Sequence, residues 1–180
     1  AMYLYIVDPE RMYRAFQPVA LFLNNIWDVP APMRVLATGN SFWSIINATR
    51  PHMLRNFAAH SQGMASLIKT DFWSVRTIVE DGHQYWRSYF AFDGNYEVTP
   101  IHVPIYQDAV LAEGYKNTIK AQFVQLRRWA YGASDIAYVA AQGFRKDSTI
   151  PRFAFWSRFI RLIDSHVSWA TSPIIITFGA

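Results

Sequence analysis

Two extended segments that contain prolines constrain the fold of this chain most. Residues 14–24 (RAFQPVALFLN) form an apolar run around Pro18, and residues 96–106 (YEVTPIHVPIY) alternate in a strand-like way around Pro100 and Pro104. Proline has no backbone N–H to donate to a neighbouring strand, so it is confined to sheet edges and bulges. The pattern therefore predicts two strands, the first with its proline at an edge or bulge and the second at an edge or interrupted.

Three other segments share the apolar spacing of a helix, in which residues three and four apart lie on one face. They are residues 33–49, 81–90 and 117–139. Asn117 or Thr118 can cap the third helix, whose buried stripe is predicted to be Ile119, Phe123, Leu126 and Ala130. Residues 56–63 (NFAAHSQG) are small and polar and end in Gly, which predicts a loop. Together with the strands, these segments predict a mixed α/β fold.

The composition limits the classes of protein to which the chain can belong. Its 180 residues have the size of one domain, which we divide into a main part, residues 1–150, and a carboxyl-terminal segment, residues 151–180. An aromatic content of 17% favours a surface that faces sugar or membrane. The net charge of +4 favours anionic partners, but the basic residues are scattered, so nucleic acid is not expected. Because the chain has no cysteine, disulfides, thiol nucleophiles and Cys-ligated zinc are excluded.

A polar and aromatic cluster, Gln125-Leu126-Arg127-Arg128-Trp129, lies inside the third predicted helix. Gln125, Arg128 and Trp129 are three and four residues apart and therefore share one side of the helix, here named the QxxRW face. Arg binds phosphate, often in bidentate fashion, Gln can bind hydroxyl groups, and Trp offers an apolar plane to a sugar ring. The QxxRW face therefore predicts binding of a phosphorylated sugar. The alternative is an ordinary half-buried helix surface with a cation–π contact.

A carboxylate pair, Glu80-Asp81, stands at the predicted start of the second helix. In one interpretation Asp81 is a general base that takes a proton from an acceptor hydroxyl, and Glu80 orients it. In the other, the carboxylates only cap the helix and interact with its dipole, which stabilises it by about 0.5–2 kcal/mol. The residues alone leave both interpretations open.

Other site signatures are weak or missing from the sequence. The five histidines, at positions 52, 60, 83, 102 and 166, have no HxxxH or HExxH spacing, so no metal site is predicted. His60, in the predicted loop, is either a hydrogen-bonded structural residue or a contact for substrate. The sequence has no GxSxG, Walker or GxGxxG motif, and so lacks the local signatures of serine hydrolases, P-loop proteins and Rossmann domains.

The acidic pair followed downstream by QxxRW resembles the membrane-bound family-two glycosyltransferases of the cellulose-synthase-like type. The resemblance covers residues 14–144, with an extended segment and a turn between the two motifs. In that family a Thr or Ser precedes the acidic pair, whereas this chain has Val79. The resemblance implies a GT-A type α/β domain, of which this chain would be the carboxyl-terminal half.

The same resemblance implies roles for individual residues. Asp81 would be the catalytic base of a single displacement with inversion, with Glu80 beside it. The QxxRW face would hold the acceptor sugar and the donor diphosphate. His60 lies in a loop, residues 57–63, that would line the acceptor site.

Partners and cofactors also follow from the resemblance. The donor would be a UDP-sugar and the acceptor a glycan or lipid. In that family a divalent metal, Mg²⁺ or Mn²⁺, binds the donor diphosphate through a DxD motif, which this sequence lacks. We therefore expect the chain to be part of a longer enzyme at the cytoplasmic face of the inner or plasma membrane, and to be inactive in isolation.

The carboxyl-terminal segment bears on membrane association. Residues 152–163 (RFAFWSRFIRLI) are predicted to form an amphipathic helix in the membrane interface. The alternative is a surface helix that packs Phe155, Phe159 and Ile163 on a core. Residues 167–180 are apolar but shorter than the ~20 residues that cross a bilayer, so we expect them to begin a truncated membrane segment.

Two other functions fit the sequence. A non-catalytic carbohydrate-binding or membrane-associated interaction domain would use the aromatic side chains without Asp81. A pseudoenzyme that has lost its metal site would fit the missing DxD motif as well as a longer enzyme does.

Overall fold

A computed structural model describes residues 1–57 and 59–179, except for the side chains of residues 173, 176 and 177, and shows a mixed α/β fold. Its helices and strands are, in chain order, α1 (Met2–Val7), β1 (Arg14–Leu21), α2 (Ala31–Ala48), β2 (Ser61–Gln62), α3 (Met64–Lys69), α4 (Glu80–Ala91), β3 (Glu97–Tyr106), α5 (Tyr115–Ala130), α6 (Ser134–Gly143) and α7 (Arg152–Phe178). Residues 3–7 are a short apolar run whose sequence predicts a strand or a helix end, and they belong to the short helix α1. Among the described residues of the predicted loop, the two-residue strand β2 is the one regular element.

The sheet has the order β2-β1-β3, with β1 antiparallel to β2 and parallel to β3. The β1–β3 register shifts between Pro18 and Val19, and Pro104 lies opposite Val19. This confirms the predictions that Pro18 sits at a bulge and that β3 is an edge strand. A parallel pair needs a crossover, which here consists of the whole chain from α2 to α4.

Helix α2 covers the part of β1 that β2 leaves unpaired. The short strand β2 pairs only with Ala15 and Phe16, so the later N–H groups on that side of β1 need other acceptors. The hydroxyl of Ser44 accepts from Ala20 N at 3.0 Å, and that of Ser41 accepts from Phe22 N at 2.8 Å. Two serines one turn apart on α2 thus continue the hydrogen bonding of the sheet.

The main core is aromatic and lies between the sheet and the helices α4, α6 and α7. From α4, whose apolar residues recur at helical spacing, it takes Tyr85, Trp86 and Tyr89. From α7 it takes Phe155, Phe159 and Leu162, which are four and three residues apart and so share one face. Full burial of one such side chain contributes about 1.5–3 kcal/mol. The packing of Phe155 and Phe159 agrees with the interpretation of residues 152–163 as a helix that rests on a core.

The predicted helix over residues 117–139 is two helices. Helix α5 begins at Tyr115, after Gly114 with φ 77°, and a 3-10 turn over Tyr131–Ala133 separates its end from α6. Thr118 is not the cap of α5. Its buried hydroxyl accepts a hydrogen bond from Ala112 N at 3.1 Å, which holds the preceding loop against the helix.

The predicted buried stripe of this helix was wrong in part. Phe123 is 63% exposed, and the buried residues of α5 are Thr118 and Gln122. Ile119 does pack on a second, smaller core formed by Val29, Met33, Ala37 and Ala109. Hydrophobic spacing failed in part because the two buried side chains of α5, Thr118 and Gln122, are polar.

In the described part of the chain, none of the helices combines the length and the apolarity that crossing a bilayer requires.

A pair of glycine substitutions tests the contact between α6 and α7. A Cβ added to Gly143 would lie 1.9 Å from the ring of Phe155, whereas one added to Gly39, inside α2, would have no atom within 4 Å. We expect Gly143→Ala to lower the free energy of unfolding by about 1–3 kcal/mol, because the ring of Phe155 is buried and cannot move away. Gly39→Ala should raise it by about 0.5–1 kcal/mol through helix propensity. Urea denaturation measures both, and equal shifts for the two variants would contradict the packing described.

Candidate functional site

A cavity of about 570 Å³, here named the central cavity, lies between β1, α2, the loop after α2, and parts of α4, α5, α6 and α7. This volume is within the range of about 300–1,000 Å³ found for small-molecule sites. Its wall is rich in indole rings, which offer apolar planes with a polar N–H at the edge and so suit sugar rings. The tryptophans that line it are Trp43, Trp86, Trp129 and Trp169.

Asp81 lines the central cavity from the first turn of α4. Its carboxylate accepts a hydrogen bond from Gly82 N at 2.7 Å, as expected of an acid at a helix N-terminus. Burial raises the pKa of Asp81, and the neighbouring charge of Glu80 acts in the same direction, against the Gly82 hydrogen bond and the charge of His60. A carboxylate with a raised pKa is a stronger base once it is ionised, which is what general-base catalysis uses.

The other two predicted partners of Asp81 lie beside the cavity rather than in it. Glu80 is exposed, and the described residues that line the cavity include neither Glu80 nor His60. The Nδ1 of His60 donates to the Phe57 carbonyl at 2.6 Å, which leaves its buried Nε2 without a partner among the described residues. Burial lowers the pKa of His60, more than the Phe57 carbonyl and the charge of Asp81 raise it.

The QxxRW face reaches the central cavity only at Trp129. Gln125 is half-buried and Arg128 is exposed, and neither is among the described residues that line the cavity. The structure therefore brings together Asp81 and Trp129, from α4 and α5, and leaves Gln125 and Arg128 on the surface nearby.

Sequence reasoning missed a buried acid–base pair in the same place. His83 Nδ1 lies 2.6 Å from Asp135 Oδ1, and both side chains are almost fully buried. Asp135 also lines the cavity. The signal for His83 was its position two residues after Asp81, so that an acid and a histidine share the first turn of α4. Nothing in the sequence marks Asp135 as its partner, because the 3-10 turn before α6 determines where that side chain lies.

Two basic residues that no sequence motif marks, Arg55 and His166, complete the cavity wall. Burial lowers the pKa of His166, and Arg55 lowers it further, while Asp135 opposes both. Burial likewise lowers the pKa of Arg55, whose guanidinium stacks over Trp86 at 5.9 Å. The wall of the central cavity thus carries two acidic residues, Asp81 and Asp135, and two basic residues, Arg55 and His166.

Asn56 is a buried polar residue behind the cavity wall. The residue is 0% exposed, so its amide does not face the open space of the cavity. Burial raises the pKa of Tyr96, and hydrogen bonding of the Asn56 amide to the Tyr96 hydroxyl opposes this shift.

The described residues include no group of three or more His, Asp and Glu side chains that could hold a metal ion. The Mg²⁺ or Mn²⁺ implied by the resemblance therefore does not fit the residues present here, and no role in the cavity is assigned to it.

The fold and the site define a mixed α/β protein with an indole-lined cavity that contains a carboxylate of raised pKa. Comparison with protein-family models, curated proteins and solved structures found no match for the chain.

Proposed function

We propose that this chain carries the catalytic base and the acceptor-binding surface of an inverting glycosyltransferase of the family-two, cellulose-synthase-like type, with a partial GT-A fold. The observation that supports this most is that Asp81 and Trp129, the acid of one motif and the indole of the other, line one cavity. The volume of the cavity is that of a small-molecule site, and its tryptophans suit the apolar face of a sugar ring.

The proposed reaction is a single displacement at the anomeric carbon of the donor. The carboxylate of Asp81 takes the proton of an acceptor hydroxyl, and that oxygen attacks the anomeric carbon from the side opposite the leaving group. The bond from this carbon to the diphosphate oxygen breaks, and the diphosphate leaves with the electron pair. Trp129 holds the acceptor ring against the base.

The donor is proposed to be a UDP-sugar and the acceptor a glycan or lipid. Arg128, exposed at the edge of the QxxRW face, suits a diphosphate at the cavity mouth. A DxD motif that holds Mg²⁺ or Mn²⁺ would have to come from outside this chain, so the proposal concerns a longer enzyme.

The proposed location is the cytoplasmic face of a membrane, with α7 as the amphipathic helix in its interface. The support is a row of exposed apolar side chains, Phe153, Trp156, Ile160 and Val167, at helical spacing on α7. This row lies on a different face from the buried Phe155, Phe159 and Leu162.

Replacement of Trp129 with Ala tests the acceptor surface. We expect it to weaken binding of β-1,4-linked glucose or N-acetylglucosamine hexasaccharides about tenfold, since an aromatic contact is worth about 0.5–1.5 kcal/mol. Trp27→Ala is the matched control, because Trp27 is 80% exposed and lies outside the central cavity. Isothermal titration calorimetry measures both affinities.

Equal affinities for the two variants would contradict the proposed acceptor surface. A different result would support the non-catalytic carbohydrate-binding alternative. In that case binding depends on Trp129, but the full-length protein transfers no sugar from any UDP-sugar.

A further inference from the structure

A second cavity, of about 20 Å³, is lined by four basic side chains and is here named the arginine pocket. Arg158 and Arg161 come from α7, where they are three residues apart and share a face. Arg55 comes from the loop after α2, and His52 from the 3-10 turn before that loop. Arg55, Trp86 and Leu162 line this pocket and also the central cavity, so the two spaces adjoin.

No carboxylate neutralises these arginines at close range. The four ion pairs found among the described residues involve Arg14, Arg145 and His83, and none of the arginines of the pocket. The charge of Asp135 acts to raise the pKa of Arg55, and the charge of Glu97 acts to raise the pKa of Arg158, but each carboxylate lies beyond ion-pair distance of its arginine. Three positive charges therefore converge on one small space without a partner of opposite sign.

The hydrogen bonding of the pocket is incomplete as well. The Nε of Arg158 is buried and has no partner in the described part of the chain. Other arginines that pack into this protein are satisfied by carbonyl groups: Arg34 donates to Val29 and Trp27, and Arg87 donates to Thr70 and Phe72. In the arginine pocket, Arg158 Nη1 donates to the Ala154 carbonyl at a long 3.4 Å, and Arg55 and Arg161 have no hydrogen-bond partner among the described residues.

Stacking on aromatic rings does not explain why the arginines converge on the arginine pocket. Arg55 lies over Trp86 at 5.9 Å and Arg158 over Tyr89 at 5.1 Å. A guanidinium stacks with its flat face and keeps its N–H groups at the edge, so stacked arginines still bind anions through that edge. The rings hold the two arginines in place and leave their donors available.

We propose that the arginine pocket is a binding site for a phosphate group, of the kind carried by a soluble phosphate compound or by a lipid headgroup. Arg presents its N–H groups in a fork that matches a phosphate, and three such forks neutralise a dianion. The volume of about 20 Å³ accommodates about one oxygen-sized group, so one phosphate oxygen enters the pocket and the others face solvent. This site is separate from the acceptor surface proposed above and does not depend on it.

The test is titration of the chain with inorganic phosphate and with pyrophosphate, followed by calorimetry at constant ionic strength. We expect Arg161→Gln and Arg158→Gln each to weaken binding at least tenfold. Arg152→Gln is the matched control, since Arg152 is exposed on the same helix and does not line the pocket. Circular dichroism checks the folding of each variant. His52→Gln is a further pocket variant, and it should have little effect on the core because His52 is exposed.

A second arm distinguishes the source of the phosphate. Sedimentation with phosphatidylcholine vesicles that contain phosphatidic acid should be reduced by Arg161→Gln more than by Arg152→Gln if the group belongs to a lipid, and equally by both if it belongs to a soluble compound. The proposal is overturned if neither phosphate, pyrophosphate nor these vesicles bind at millimolar phosphate. It is also overturned if Arg152→Gln weakens every form of binding as much as the pocket variants do.

Discussion

Asp81→Asn is expected to lower the rate of sugar transfer by about 10²–10⁴-fold, the usual contribution of a general base, with little change in acceptor affinity. The amide has the shape of the carboxylate and still accepts a hydrogen bond from Gly82 N, so α4 keeps its first turn. It cannot take a proton from the acceptor hydroxyl. The measurement is kcat in the full-length protein, with UDP-sugars and Mg²⁺ or Mn²⁺.

The pH dependence of the wild-type rate should reflect the buried position of Asp81. Because burial raises its pKa above the ordinary 3.8, the acid limb of the rate profile should lie at a higher pH than for an exposed aspartate.

The same shift predicts that Asp81→Asn stabilises the fold. The folded state binds the proton more tightly than the unfolded state, so wild-type stability falls as pH rises from about 3.8 to the raised pKa. The variant avoids this loss, so above the raised pKa it should be more stable than the wild type.

Glu80→Gln is the matched control for Asp81→Asn. It removes the same charge from the adjacent residue, but Glu80 is exposed and does not line the central cavity. Its effect on kcat should be smaller than threefold. If both variants reduce kcat alike, or if Asp81→Asn leaves it unchanged, Asp81 is not the base.

Asp135→Ala is expected to lower the free energy of unfolding by about 3 kcal/mol. The substitution leaves the almost fully buried His83 ring without its partner at 2.6 Å, and an orphaned buried group of this kind is costly. Chemical denaturation of Asp135→Ala, His83→Ala and the double variant gives the coupling energy. We expect the double variant to be destabilised by less than the sum of the single variants, because no partner is then left unpaired.

Asp147→Ala provides the comparison at the surface. Asp147 pairs with Arg145 at 2.7 Å, nearly the distance of the buried pair, but both residues are exposed. Its loss should therefore have little effect on unfolding. Similar destabilisation by Asp135→Ala and Asp147→Ala would contradict the buried character of the His83–Asp135 pair.

The sequence was informative where local rules decide the structure. Pro18 and Pro104 predicted a bulge and an edge because proline lacks a donor whatever its surroundings. The periodic segments at α2 and α4 predicted helices, and Glu80-Asp81 falls at the start of α4 as expected.

The rest depended on contacts between distant parts of the chain. The break between α5 and α6 was not predictable from hydrophobic spacing, since Tyr131–Ala133 contains no proline and its glycine is only one weak signal. For the site, the two motifs led to Asp81 and Trp129, which share the cavity. Asp135, Arg55 and His166 were missed because tertiary packing alone brings them there.

The parallel pairing of β1 with β3 also has a consequence for how the chain reaches its native state. The whole segment from α2 to α4 lies between these strands in the sequence, which makes their contact strongly non-local. The entropy of closing so long a loop must be overcome before the sheet contributes any stability. Helices with local contacts therefore form early, and joining of the two strands is the slow step, during which the edges of β1 and β3 are open to other chains.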